Sequence, residues 1–425
     1  MPTRHAIVIA VDGLRASALG AYGNTWSPTP SLDLLASQSR VFDWLIADSP
    51  TLEGFYRAVW NGLAVPLDGV EAGVARQELE ASLLRRLAAS GVRAALVSDS
   101  EWVAERAEAI GFDEVRRLEF AAPTVAAASV ADTEMAQLAA IAADQVESWG
   151  LAAAESTDAG DQPPRLLWIH ARGYHGAWDA PLEVRQALIE NDEAPAPTFL
   201  SPPGDLATTD PDELLPYRVA YAAQTVVLDE CIGVLLAAVA DAGIANDTLV
   251  VLAGCRGFAL GEHGRLGSDV EMLYSEQLHL PLSICVPDDT PLPPPRSFAL
   301  VQPQDLMTTL LDWFGAPEDN LGAGANSLLR DDESESPSTW PMVVSNGRDG
   351  ETAVRTAEWM MRLPAKDRES PQDGRPLELY AKPDDRWEAN EIADRCVEEA
   401  AQLLAALEQH RSGEPAGLDE PATLR

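Results

Sequence analysis

Residues 5–11 read HAIVIAV and stop abruptly at Asp12-Gly13-Leu14-Arg15. A short apolar run rich in β-branched residues, ended by a polar turn, predicts a strand buried on both faces, as in a parallel sheet covered by helices. Similar runs recur at Ala94–Val97, Leu166–Ile169, Thr248–Leu252 and Leu280–Val286. Helical patterns lie between them at Glu78–Ala89, Val130–Trp149 and Tyr217–Ala242. Strand alternating with helix over this length predicts an α/β sandwich with a mostly parallel central sheet.

The C-terminal part has a different texture. Asp331–Pro337 (DDESESP) is an acidic, low-complexity stretch that suits a boundary. Shorter strand-like pieces follow at Trp340–Ser345 and Trp359–Leu363, then an amphipathic helix around Ala389–His410. The expected organisation is an α/β domain over 1–330, a small C-terminal α+β lobe over 338–411, and a flexible tail over 412–425. Within the large domain, the Pro- and acid-rich segment 177–215 is expected to be a surface insertion.

The chain has 425 residues, 46% of them hydrophobic, enough for a large core. Its 30 basic residues against 68 acidic give a net charge of −38. That charge opposes nucleic acid, whose affinity comes from Lys and Arg neutralising phosphates, and equally opposes an anionic membrane surface. Lys366 and Lys382 are the two lysines, and every other basic residue is arginine. Cys231, Cys255, Cys285 and Cys396 lie far apart, so neither a disulfide framework nor a zinc knuckle follows. The first apolar run is cut by Asp12, too short for a signal peptide, and no apolar run reads as a membrane span. The expectation is a cytoplasmic protein.

Several common chemistries have no motif here. There is no G-x-S-x-G elbow, no H-E-x-x-H and no G-x-G-x-x-G after the first strand. Neither lysine follows a glycine, which rules out a Walker A loop. What remains is a set of residues at strand ends, where open α/β sheets gather their ligands. Asp12 closes the first run, His175 follows the Leu166–Ile169 run, and Gly254-Cys255-Arg256-Gly257 closes the Thr248–Leu252 run. Taken singly, each has a plain structural reading: an Asp-Gly turn, a core histidine, a Gly-rich turn.

Their order resembles the sulfatase family of the alkaline-phosphatase-like superfamily. The resemblance is carried by Val11–Arg15, Gly20–Gly23, Thr29–Ala36, Tyr221–Asp247, Leu260–Gly264, Leu273-Tyr274, Leu280–Leu282, Leu377–Tyr380 and Pro383–Asn390. It implies an alkaline-phosphatase-like three-layer sandwich with a small C-terminal α+β lobe. It also implies a site in which two neighbouring Asp on the first strand, and a later Asp with Asn or His, hold a divalent cation. A Cys or Ser in C/S-x-P-x-R, converted to formylglycine, is the nucleophile, and lysines and histidines grip the sulfate.

Carried onto this chain, that pattern keeps Asp12 but puts Gly13 at the second ligand position. Cys255 and Arg256 stand where the other two metal ligands belong. Glu53 or Leu52 takes the nucleophile position, depending on whether Arg57 or Gly62 anchors the motif, and neither can become formylglycine. The family's lysines fall near Leu63 and Ser268, leaving Arg57 and His175 as the remaining matches.

A hard divalent cation wants several oxygen ligands, and an arginine beside it adds like-charge repulsion. The expectation is therefore that Arg256 replaces the cation and pairs with Asp12, with Glu53 as a further partner. Two function readings follow. The first is a sulfatase-like protein without metal-dependent hydrolysis, acting through binding of a small anion or a protein partner, with no cofactor. The second is a divergent sulfatase or phosphodiesterase hydrolysing sulfate or phosphate esters with a cation such as calcium. A shifted nucleophile at Thr51 belongs to that second reading, as does a Cys255 thiolate activated by Arg256 and served by His175 or His263.

Overall fold

The computed structural model describes residues 4–63, 82–155, 162–190, 195–287, 290, 295–317, 325–330, 340–364 and 377–412. The Asp331–Pro337 boundary, Lys366 and the tail beyond Ser412 lie outside these residues, as does the start of the helix expected from Glu78.

Fifteen strands follow one another in the described chain. They are β1 (His5–Val11), β2 (Arg40–Ile46), β3 (Arg93–Ser98), β4 (Glu114–Arg117), β5 (Arg165–Ala171), β6 (Leu206–Ala207), β7 (Thr248–Gly254) and β8 (Ala259–Leu260). Then come β9 (Arg265–Gly267), β10 (His279–Cys285), β11 (Arg296–Val301), β12 (Val343–Asn346), β13 (Thr352–Arg355), β14 (Trp359–Leu363) and β15 (Glu378–Ala381). Eight of them form the central sheet in the order β11-β2-β10-β7-β1-β5-β3-β4. All its neighbours pair in parallel except β10, which runs antiparallel to both β7 and β2.

The opening run sits at the centre of this sheet, and every one of its residues is buried. Alternation along β1 divides the core in two. Ala6, Val8 and Ala10 join a cluster with Tyr56, Trp60, Leu87 and Met307 from one layer of helices. Ile7, Ile9 and Val11 join another with Leu138, Val146, Ala220 and Val227 from the opposite layer. Helices on both faces of one sheet make the expected three-layer sandwich. A separate antiparallel sheet, β12-β13-β14-β15, carries the helix Val397–Ser412 on its own apolar cluster, matching the expected α+β lobe.

Two expectations need correction. Segment 177–215 is not simply a surface excursion, because Trp178 and Arg185 within it are fully buried. Arg185 donates to the carbonyls of Ala180, Pro197, Phe199 and Trp178, so one guanidinium ties this polar-looking stretch together. The helix over this region's end is also longer than the pattern suggested, running Pro211–Asp241. By length and composition it could cross a membrane, yet 67% of its most apolar window is packed inside the protein, as in a core helix.

Candidate functional site

Register builds the site. β1 pairs with β5 and β7 so that Val11 lies level with Ala171 and Gly254. The ladder then continues one step, with the Asp12 amide donating to Ala171 O and the Cys255 amide to Val11 O, both at 3.0 Å. Asp12, the Arg172–His175 turn and Cys255-Arg256 therefore emerge together at the carboxyl edge of the sheet. Asp12 is only 2% exposed, so its carboxylate needs partners.

Arg256 is the main one. Its Nε donates to Asp12 Oδ1 at 2.7 Å and its second terminal nitrogen to Oδ2 at 3.0 Å, a two-pronged charge-assisted pair. His175 Nε2 is 3.8 Å from Asp12 Oδ1 and 3.4 Å from Gly257 O. Burial raises the Asp12 carboxyl, but the charges of Arg256 and His175 and the Arg256 hydrogen bond outweigh it and hold it below its usual 3.8. His175 goes the other way: burial, helped by Arg256 and opposed by Asp12, lowers it to about 4, leaving it neutral at pH 7.

The expected second contact of Arg256 is absent from the geometry. Glu53 lies in the first turn of the Leu52–Asn61 helix and pairs with Arg106 at 2.6 Å, on a third-exposed surface. Arg106 carries no signal in the local pattern around Glu53, because it comes from a different helix, Glu101–Ile110. Leu52 opens the helix, and Thr51 caps it, accepting from the Gly54 amide at 3.1 Å while touching Ser49 Oγ at 3.0 Å. Arg57 is half-buried one turn further along. Leu63 follows the left-handed cap residue Gly62. Ser268 belongs to a turn, its hydroxyl donating to Pro203 O and Asp269 Oδ1.

Cys255 also differs from expectation. Its side chain turns into the core, fully buried, with Sγ 3.9 Å from His170 Nδ1. Tyr56 Oη lies 2.8 Å from the same nitrogen and accepts from Trp168 Nε1 at 3.2 Å. Burial, aided by the nearby Asp12 charge, pushes the thiol well above its usual range despite Arg256. An activated thiolate is therefore contradicted: the group is enclosed and protonated. Neither expected histidine serves it, since His175 faces Asp12 and His263 faces Glu276. The Tyr56–His170 pair was missed in the sequence; its one signal was a histidine inside an otherwise apolar strand.

The positions the resemblance assigns to a cation supply one carboxylate (Asp12), one guanidinium (Arg256), one enclosed thiol (Cys255) and Gly13. Gly13 has φ +78, and a Cβ there would lie 2.8 Å from Tyr174 Cβ and 2.9 Å from His175 Cδ2. The turn has closed over the place where a second carboxylate would stand. This donor set does not fit a hard divalent cation, which takes six or more oxygens.

Comparisons with known proteins set these positions in context. A family model described as Sulfatase matches residues 4–316. A stretch of 126 residues is 32% identical to an N-acetylglucosamine-6-O-sulfatase of Bacteroides thetaiotaomicron, covering 29% of this chain and 22% of that protein's length. The phosphonate monoester hydrolase of Agrobacterium radiobacter superposes with a TM-score of 0.68 at 16% identity, over 96% of this chain and 95% of that one. A 2-O GAG sulfatase superposes with a TM-score of 0.65 at 17% identity, over 96% and 90%. At such identities the superpositions speak for the fold alone.

Proposed function

The chain belongs to the sulfatase family, and from that premise we propose that it is a member without metal-dependent hydrolysis of sulfuric esters, acting through binding or as a scaffold. One observation carries the reading: Arg256 grips the buried carboxylate of Asp12 with two hydrogen bonds. A cation on Asp12 would have to displace a guanidinium already matched to it in charge and geometry. Water or nucleophile activation by a metal then has no place to occur. The nucleophile position adds to this, because Leu52 and Glu53 have no oxidisable group and Thr51 spends its hydroxyl on the helix cap. No cofactor is part of this reading.

Turnover tests it. Purified protein incubated with 4-nitrophenyl sulfate and with phosphate mono- and diester analogues, with calcium, magnesium or manganese added, is expected to release nitrophenol no faster than an Asp12→Asn, Arg256→Met variant. A metal-stimulated rate that this variant loses would overturn the reading in favour of a divergent ester hydrolase.

A further inference from the structure

Away from Asp12, titratable groups gather where the C-terminal lobe meets the α/β body. His263 lies in the turn between β8 and β9. Its Nδ1 is 2.7 Å from Glu276 Oε1, on the short helix Ser275–Leu278, and its Nε2 is 3.3 Å from the Glu388 carbonyl of the C-terminal lobe. Both ring nitrogens thus face acceptors, and a histidine can donate from both only when doubly protonated. The ring stacks on Tyr274 with centroids 3.5 Å apart and planes within 5°.

Glu388 is held from several sides. Lys382 Nζ and Ser275 Oγ both donate to its carboxylate, and the Ser275 amide lies 3.2 Å from it. It is a non-glycine residue at φ +50, a conformation that persists only where surrounding contacts impose it. The ammonium of Lys382 pairs with the Glu388 carboxylate and His263 pairs with Glu276, so the turn and the short helix meet through two ion pairs. The other charges facing them are Glu262, paired with Arg15 at 2.5 Å, Arg362 over the Tyr274 ring, and Arg355, whose charge acts on Glu388.

We propose that His263 is a pH-sensitive latch: its imidazolium pins the Lys382–Glu388 turn of the C-terminal lobe to the Ser275–Leu278 helix, and loss of its proton loosens that turn. Burial lowers the His263 pKa, but the Glu276 hydrogen bond and charge and the Glu388 carbonyl outweigh it, so the net direction is up from 6.5. Of the chain's 6 histidines, the other five are all lowered, burial being the first cause in each. A raised folded value means that the stabilisation is fully present below pH 6.5 and is lost as pH rises through that value. Burial raises Glu388 against the pull of Lys382 and Ser275, so its own linked contribution also is present at low pH and is lost as pH rises through its folded value.

Hydrogen exchange on the full chain tests the latch, with rates over residues 379–392 corrected for their intrinsic pH dependence. Protection in the wild type is expected to fall between pH 6 and pH 9, roughly tenfold for each unit by which His263 is raised. His263→Gln is expected to show the same protection at both pH values, and Glu276→Gln to move the transition to lower pH. Equal wild-type protection at both pH values, or an unchanged fall in His263→Gln, would overturn the proposal. Should that variant fail to fold, NMR titration of the wild-type histidines decides: one resonance titrating above 6.5 and shifted down in Glu276→Gln supports the latch, and none above 6.5 refutes it.

Discussion

Replacing Arg256 with methionine is expected to destabilise the protein by about 3–5 kcal/mol at pH 7, because it strands a buried carboxylate without its counter-charge. Asp12 is 2% exposed and Arg256 supplies both of its charge-assisted hydrogen bonds, so water cannot stand in without opening the sheet edge. The pH dependence follows from sign. In the wild type the Asp12 carboxyl is held below 3.8, so its contribution is present above that value and is lost as pH falls through the lower folded value. In the variant, burial acts without the guanidinium and raises the carboxyl instead. The deficit is then largest near neutrality and shrinks as pH falls into the carboxylate range. Denaturant unfolding at pH 7 and pH 5 measures both. The double variant Asp12→Asn, Arg256→Met leaves no unpaired charge and is expected to be more stable than Arg256→Met alone. A single variant within 1 kcal/mol of wild type would mean that the pair is solvated and carries little.

Gly13 gives the second large effect. A side chain at φ +78 costs on the order of 1 kcal/mol or more in backbone strain. The added Cβ would also stand 2.8 Å from the Cβ of Tyr174, which is fully buried. The Tyr174 amide donates to Asp12 O at 2.9 Å and its ring stacks on Tyr221, so it has no room to retreat. Gly13→Ala is therefore expected to cost about 2–4 kcal/mol, and Gly13→Asp at least as much without building a cation site. A lowered denaturation midpoint with an unchanged denaturant slope is the expected signature. A neutral Gly13→Asp that gained calcium affinity would show that the turn still has room for the second ligand.

The fold was legible wherever a strand is apolar throughout. β1 matches its expected limits, because a central strand buried on both faces has to be written in apolar residues. β2 escaped notice because Arg40 and Asp43 interrupt it. Both are buried, and each is satisfied by distant chain: Arg40 donates to the Leu328 carbonyl, and Asp43 pairs with Arg296. No local pattern reports such partners. The site divides in the same way. Asp12 and Arg256 were legible because both stand at ends of recognisable strands. The Glu53–Arg106 pair and the enclosure of Cys255 were not. Sequence neighbours suggested that Arg256 would activate Cys255, but the strand ends at Gly254 and the bend that follows sends the two side chains apart. Arg256 turns to Asp12, and Cys255 turns inward toward His170.

Bound metal is the measurement that bears most directly on the central claim. Protein purified without chelator, incubated with excess calcium, magnesium, manganese or zinc and then desalted, is assayed for retained metal per chain by mass spectrometry. If Arg256 has taken the place of a cation on Asp12, retention stays far below one ion per chain and is the same in Asp12→Asn. About one tightly held ion per chain, lost in Asp12→Asn, would contradict the account.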